Sequence, residues 1–522
     1  MFDELGIGAE IDQQMVQDSD KRIISLGNAV KAMVLNGLGF VNQRLYLVPS
    51  FFESKPTERL IGKGISPEHL NDEVLGRALD ALYEYGVTEL YSLIALAASK
   101  RLGLSSRFGH LDSSSFHVDG VYNSDASAEE GAAVIRISKG SSRVHRPELK
   151  QVVLELIAET QAGIPLLMKP MSGNSSEVTD FREVINEPLK QLQQAHDIPY
   201  LVADSALYNQ QSLQEMQRGS PWLTRVRHTL TEAKTALAQA NPEERLFLAE
   251  GYQYQALRSD YAGVSQRWLL SYSKAASERA SKQLPKELSK RSEADVKALT
   301  KLSNKAFACR DDAEQALAAF SKKLKVCTLA SSEIQERPHY HQRGRPAKYP
   351  TPSPLSYRLK GQLATPLASR DERLIRERCF ILATNQLDQD TLPDYEVLTG
   401  YQGQAFAERG FRFLKDPRFL ASSLFLKNPQ SIMALMMVMT ICLLVYAALQ
   451  HRVRQRLNNT EQSFPDQKGK PTQRPTARWV FQCFVGIHLL VIVDQQQLLL
   501  NLKNHHRQLL TLLGSRYQAF YS

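Results

Sequence analysis

Apolar residues in the first hundred positions recur at intervals of three and four, through Ala29, Met33, Val34 and Leu38 and again through Leu70, Val74, Leu75, Leu79 and Leu82. That spacing stacks them on one side of a helix and predicts a helical module over residues 1–104. Ser66 followed by Pro67 marks one helix start, since serine can cap and a proline at the first helical position gives up no hydrogen bond. From Arg107 the period drops to two. Phe108, His110, Asp112, Ser114 and Phe116 alternate with Gly109, Leu111, Ser113, Ser115 and His117, predicting a strand closed by the turn pair Asp119-Gly120. Residues 133–138, 151–158 and 164–168 follow at short intervals and read as an antiparallel meander. Residues 178–194 predict a helix. Residues 198–202, IPYLV, form the nearly continuous apolar run of a buried strand that stops at Ala203-Asp204-Ser205, and residues 222–226 predict the next strand.

Residues 250–272 are again strand-like, and residues 275–325 are rich in Ala, Lys and Glu, which predicts two long helices. Residues 357–363 and 379–383 predict strands leading back to the core, and residues 394–415 predict a helix. Residues 432–449 are apolar except for Thr440, long enough for a membrane span, and the following Arg452, Arg454 and Arg456 would suit a cytoplasmic flank. The same run serves equally as a wholly buried helix of a large core, and that is the expectation adopted. Residues 457–475 hold three prolines among polar residues and predict an exposed loop; the chain from Trp479 predicts further helical packing.

Composition narrows the partners. Lys plus Arg number 64 against 55 Asp plus Glu, a net charge of +9, which favours polyanions. The five cysteines are odd in number and lack any CxxC, so neither a disulfide framework nor a zinc site is indicated. The acidic N-terminal residues lack the basic start and apolar run of a secretory signal, and a cytoplasmic location without a membrane is expected.

Candidate chemistry centres on YQGQAFAERGFRFLK, residues 401–415. At about 100° per residue, Tyr401, Gln404, Glu408, Arg412 and Lys415 fall on one helical stripe, opposite Phe406, Ala407, Gly410, Phe413 and Leu414. Asp112 lies in the first predicted strand and Asp204 at the end of the buried one. Each acid also has an ordinary structural job open to it: Asp204 as a helix cap near Ser205, Asp112 on the solvent side of an edge strand, Glu408 paired with Arg412. Asp119 is better explained by its turn, and His110 and His117 flank Asp112 without the further ligands a zinc site needs.

The spacing of Tyr401, Gln404, Glu408 and Lys415 resembles the YREK signature of DDE transposases from bacterial insertion sequences, with Gln404 where that family has arginine. LDSSSFH around Asp112 and VADSALY around Asp204 resemble the two aspartate segments of the same family. The resemblance implies an α/β fold: a ribonuclease-H-like mixed sheet flanked by helices, with a helical N-terminal domain and an insertion domain before the glutamate helix. The expected divisions are residues 1–104 for binding DNA ends, 105–227 and 379–456 for the catalytic core, 228–378 for the insertion, and 457–522 for a C-terminal loop and helices. It further implies that Asp112, Asp204 and Glu408 hold two Mg²⁺ ions, with Mn²⁺ as a substitute, Asp112 bridging both. Tyr401, Gln404, Arg412 and Lys415 are expected to meet DNA phosphate, as are Arg343, Arg345 and Lys348 of the basic loop RPHYHQRGRPAKYP. The implied partners are double-stranded element ends and target DNA, met by a homodimer that is nucleoid-associated when bound. The alternative is a catalytically silent DNA-binding relative, since Gln cannot imitate a bidentate arginine.

Overall fold

The computed structural model describes all residues except 16–21, 41–44, 119–133, 141–147, 176–197, 217–220, 325, 339–354, 367–372, 376, 417–418, 420–425, 427, 492–496 and 522. The predicted helix over 178–194, the Asp119-Gly120 turn and Arg343, Arg345 and Lys348 therefore lie outside the described residues. The chain divides into two compact units, one of Met1–Thr224, Ser259–Gln266 and Thr384–Ser522, the other of Arg225–Arg258 and Arg267–Ala383.

The first unit opens with helices at Ile7–Gln14, Leu26–Leu38, Val48–Glu53, Thr57–Leu60, Asp72–Tyr85 and Val87–Leu102. Their starts are set by side chains that satisfy orphan backbone donors. Ser25 accepts from the Asn28 N–H, Asn71 from that of Val74, and Ser66 with His69 forms a reciprocal box ahead of Pro67. Five strands follow, β1 (Phe108–Val118), β2 (Lys150–Glu159), β3 (Pro165–Met171), β4 (Tyr200–Ala203) and β5 (Trp222–Arg225), in the spatial order β3-β2-β1-β4-β5. β1, β2 and β3 are mutually antiparallel, whereas β4 runs parallel to β1 and β5 parallel to β4. The strand expected over 133–138 is not formed among its described residues. Its alternation buries Ile135 and Ile137, but the Arg136 N–H donates to Ser172 Oγ and its carbonyl accepts from Gly173, leaving Ser138 to make one isolated bridge with Gln151.

Residues 432–449 lie inside the Pro429–Asn459 helix, which begins with Asn428 as cap and proline in its first turn. It is long and apolar enough to cross a membrane, yet 94% of its apolar window is buried within the protein. It packs against β3 and the Leu26–Leu38, Asp72–Tyr85 and Val87–Leu102 helices, so its all-round apolar surface is used as core. Its far end joins both chain termini: Leu449, Val453 and Leu457 cluster with Leu509 and Met1, while Glu4 pairs with Arg452 at 2.8 Å and accepts from Tyr517 Oη at 2.6 Å. The region after Trp479 is not all helical. A hairpin, His488–Val491 with Gln497–Leu500, separates the Ala477–Phe484 and Asn504–Leu513 helices, and the exposed 457–475 stretch carries a small ladder of Phe464–Pro465 with Pro471–Thr472.

In the second unit, β6 (Leu246–Ala249), β7 (Tyr252–Ser259), β8 (Gln266–Ser273) and β12 (Cys379–Thr384) lie in the order β12-β8-β7-β6. β10 (Thr328–Pro338) and β11 (Leu355–Ala364) form a long ladder with β9 (Ala306–Phe307) beside β11, and the Lys274–Ser303 and Arg310–Lys323 helices complete the unit around Phe307, Ala313 and Leu359.

Candidate catalytic face

Side chains of a strand alternate between faces, so Phe108, His110, Asp112, Ser114 and Phe116 share one face of β1. The parallel ladder pairs Phe108 with Tyr200, Gly109 with Leu201 and His110 with Val202. Two positions further along each chain stand Asp112 and Asp204, one inside β1 and the other just past the end of β4. Neighbouring strands lie about 4.8 Å apart, so the register continued two positions beyond its last pair would bring the two acids level with each other.

The third acid comes from above that face. Residues 394–415 form two helices, Asp394–Gln402 and Ala405–Leu414, the second resting on β1, β2 and the Pro429–Asn459 helix. Three contacts fix their course along β1. A Cβ at Gly400 would meet the Phe108 ring, one at Gly403 would meet His110 Nε2 at 2.5 Å, and Lys415 Nζ sits 5.6 Å from the centre of the Phe116 ring. The helices thus run in the direction of β1, and Glu408 falls level with the stretch between His110 and Phe116 that contains Asp112. Glu408 is exposed.

The ordinary jobs open to these acids are taken up unevenly. Glu408 forms no ion pair with Arg412, which is also exposed, and its carboxylate has no hydrogen bond among the described residues. Asp204 is no helix cap. The next helix, Gln210–Met216, begins six residues later, and the Asn209 carbonyl Oδ1 accepts from Ser212 N–H there, while Asp204 Oδ1 accepts from Ala206 N–H at 2.7 Å in a local turn. Asp112 is half-buried in a strand flanked on both sides, so the edge-strand reading fails too; its Oδ1 accepts from the Ser113 N–H at 2.8 Å.

The single stripe expected over 401–415 is corrected by the break at Gly403-Gln404. There the Gln404 N–H donates to Tyr401 O and the Phe406 N–H to Gly403 O, three-residue bonds that wind the chain tighter than an α-helix and shift the phase of everything after them. Gln404 turns inward, 8% exposed, with Oε1 unpaired among the described residues, and does not face outward with Glu408 and Arg412. Tyr401 is half-buried on the preceding helix.

Several supports were not visible in the sequence pattern. Arg107 pairs with Glu396 at 2.5 Å and donates to Thr391 O at 2.7 Å, tying the first helix to the start of β1. Glu159 ends β2 and accepts from the Gln161, Ala162 and Ile164 N–H groups, shaping a turn whose Gly163, at φ +76°, leaves room for Phe406. Burial raises the Glu159 pKa against the lowering effect of those donors. His110 is fully buried beneath Gly403; its Nε2 lies 3.1 Å from Thr160 Oγ1, and burial pushes its pKa down to about 4. A glutamate two to five residues ahead of Gln-Ala-Gly-Ile was the available signal for the turn.

Carboxylate oxygens are the hard donors that Mg²⁺ or Mn²⁺ prefers, and such ions take few protein ligands and keep their waters. Asp112, Asp204 and Glu408 each offer a carboxylate of that kind. Among the described residues no three His, Cys, Asp or Glu side chains are already gathered into a closed ligand set.

Residues 1–96 match DUF4277, described as a domain of unknown function, one found in transposase-like proteins. A search of curated proteins found no match. Among solved structures the chain is similar to a piggyBac transposase in a synaptic complex with hairpin DNA, at 9% identity and a TM-score of 0.35, covering all of this chain and 81% of the other. A likeness that slight carries no argument about this chain.

Proposed function

We propose that this protein is a DNA transposase that cleaves the ends of its element and joins them to target DNA, using Asp112, Asp204 and Glu408 on a ribonuclease-H-like sheet. The observation that supports the reading is the β1–β4 register, which pairs His110 with Val202 and, continued two positions further, would bring Asp112 beside Asp204, while the helix bearing Glu408 packs on β1. The strand order β3-β2-β1-β4-β5, three antiparallel then two parallel, supports the ribonuclease-H-like assignment. The spacing of Tyr401, Glu408 and Lys415 supports placement near the YREK group.

Two carboxylates about 4 Å apart repel by ~4 kcal/mol at an effective dielectric of about 20, so a gathered acid set calls for cations. When bound, a pair of divalent ions would lower the pKa of an attacking water or 3′-hydroxyl and neutralise the scissile phosphate. Asp112 and Asp204 would hold that pair from the sheet, and Glu408 would complete it from the helix. Arg412 is exposed on the Glu408 helix and Lys415 lies at its end, where their charges suit a phosphate backbone. The homodimer, the cytoplasmic location and the phosphate contacts of Arg343, Arg345 and Lys348 belong to the same proposal.

The test is nicking of a labelled duplex carrying the inverted repeat that flanks the gene. Activity should appear with Mg²⁺ or Mn²⁺, vanish with chelator and return when the ion is restored. Cleavage that persists in chelator would overturn the two-metal reading. The silent-relative alternative is favoured by one observation, the inward-turned Gln404. It predicts sequence-specific retention of the same duplex with no nicking under any ion.

A further inference from the structure

The Lys274–Ser303 helix is 30 residues long and buries only Ala280, Leu284 and Leu299. At about 100° per residue these three lie within one arc of roughly 100°. On the opposite side, Arg279, Lys282, Lys286, Lys290, Lys297 and Lys301 crowd into another arc of about 100°, and all six are exposed. One acid, Glu293, shares that arc and accepts from Ser289 Oγ at 3.3 Å. None of the five lysines forms an ion pair or hydrogen bond among the described residues, although Glu278 and Glu293 stand four residues before Lys282 and Lys297, a spacing that permits pairing. Arg291, which does pair with Glu287 at 3.7 Å, lies off the stripe.

A solvated surface helix ordinarily mixes signs around its exposed side to gain such pairs. Here six of the helix's eight cations are sorted to one line. At 1.5 Å per residue the row from Arg279 to Lys301 spans about 33 Å, roughly ten base pairs of duplex. We propose that this stripe is a second DNA surface, outside the carboxylate face, that grips the phosphate backbone of a duplex without reading its sequence. Lysine suits that task as a point charge on a flexible stem, and no aromatic side chain stands in the row, where Gln283 is the one amide. The proposal rests on the DNA-processing reading above but not on its catalytic residues.

The experiment is fluorescence anisotropy of the full chain with a duplex of arbitrary sequence across a salt series. It compares wild type, the triple variant K286Q/K290Q/K297Q, a K322Q/K323Q control on the neighbouring helix, and D112A. Each lost phosphate contact reduces the slope of log affinity against log salt by about 0.9, so the triple variant should lose about 2 to 3 from that slope and bind at least about tenfold more weakly near 0.1 M salt. The control and D112A should keep the wild-type slope, which separates this proposal from the catalytic one. Far-ultraviolet circular dichroism should show the helix intact in all variants. An unchanged slope in the triple variant would overturn the proposal, as would an equal loss in the Lys322 and Lys323 control. Equal affinity for single strands would overturn its restriction to duplex.

Discussion

Two helices of nearly equal length use their sequences in opposite ways. Residues 432–449 of Pro429–Asn459 are apolar on every side but for Thr440 and nearly all are buried, whereas Lys274–Ser303 buries three residues and carries a one-sided row of cations. Length does not distinguish them. What differs is where the side chains go when the helix packs: the first is surrounded by β3 and six other helices, the second rests on one narrow stripe. The Ala405–Leu414 helix lies between these extremes, with Ala407, Gly410, Phe411 and Leu414 buried and Glu408 and Arg412 left outside. A candidate site is found where one side of a helix is committed to the sheet and the other carries unpaired charge.

The comparison breaks first at the buried helix. Leu444→Ala should cost about 2–5 kcal/mol in urea unfolding, because the fully buried side chain leaves a cavity that its neighbours cannot fill. A cost below about 1 kcal/mol would mean the helix is not core. The next largest effect is set by pH at the candidate face. The His110 pKa of about 4 lies below the ordinary histidine value because burial disfavours its charged form. In the unfolded chain the group takes a proton near pH 6.5 that the folded chain refuses until about pH 4, so stability is fully present above 6.5 and is lost as pH falls through that window. The loss should reach up to about 3 kcal/mol near pH 4, and His110→Gln should remove that part of the slope.

Gly403→Ala sharpens the middle case. Its Cβ would stand 2.5 Å from His110 Nε2 and 2.9 Å from Thr160 Cγ2, and relieving that crowding should cost about 1–3 kcal/mol and move the start of the Glu408 helix. Gly76→Ala, in the Asp72–Tyr85 helix with open space at its Cβ, should instead stabilise by about 0.5–1 kcal/mol, read as a raised Tm. Smallest of all, Val296→Ala on the polar helix should stay within about 0.5 kcal/mol, since that side chain is 50% exposed.

Elements with a single dominant period were legible in the sequence. The alternation from Phe108 to Phe116 gave β1, the run at 198–202 ends in β4, and the apolar stretch at 432–449 lies inside one helix. Elements decided by backbone partners elsewhere were not. Arg136 spends its hydrogen bonds on Ser172 and Gly173, so a strand-like pattern yields no strand. The break at Gly403-Gln404 has no proline to announce it; it follows from seating Gly403 on His110, a contact between residues almost three hundred positions apart. That tightened turn also explains why a helical wheel drawn through 401–415 put Gln404 outside.

The central claim is that Asp112, Asp204 and Glu408 act as one unit on one face. Groups that work as a unit are non-additive, so removing any member should cost as much as removing all. The direct measurement is the Mg²⁺-dependent nicking rate of D112A, D204A, E408A and the triple variant on the same end duplex. The account predicts that each single variant falls to the level of the triple, with duplex binding retained. A single variant that nicks at the wild-type rate would contradict it.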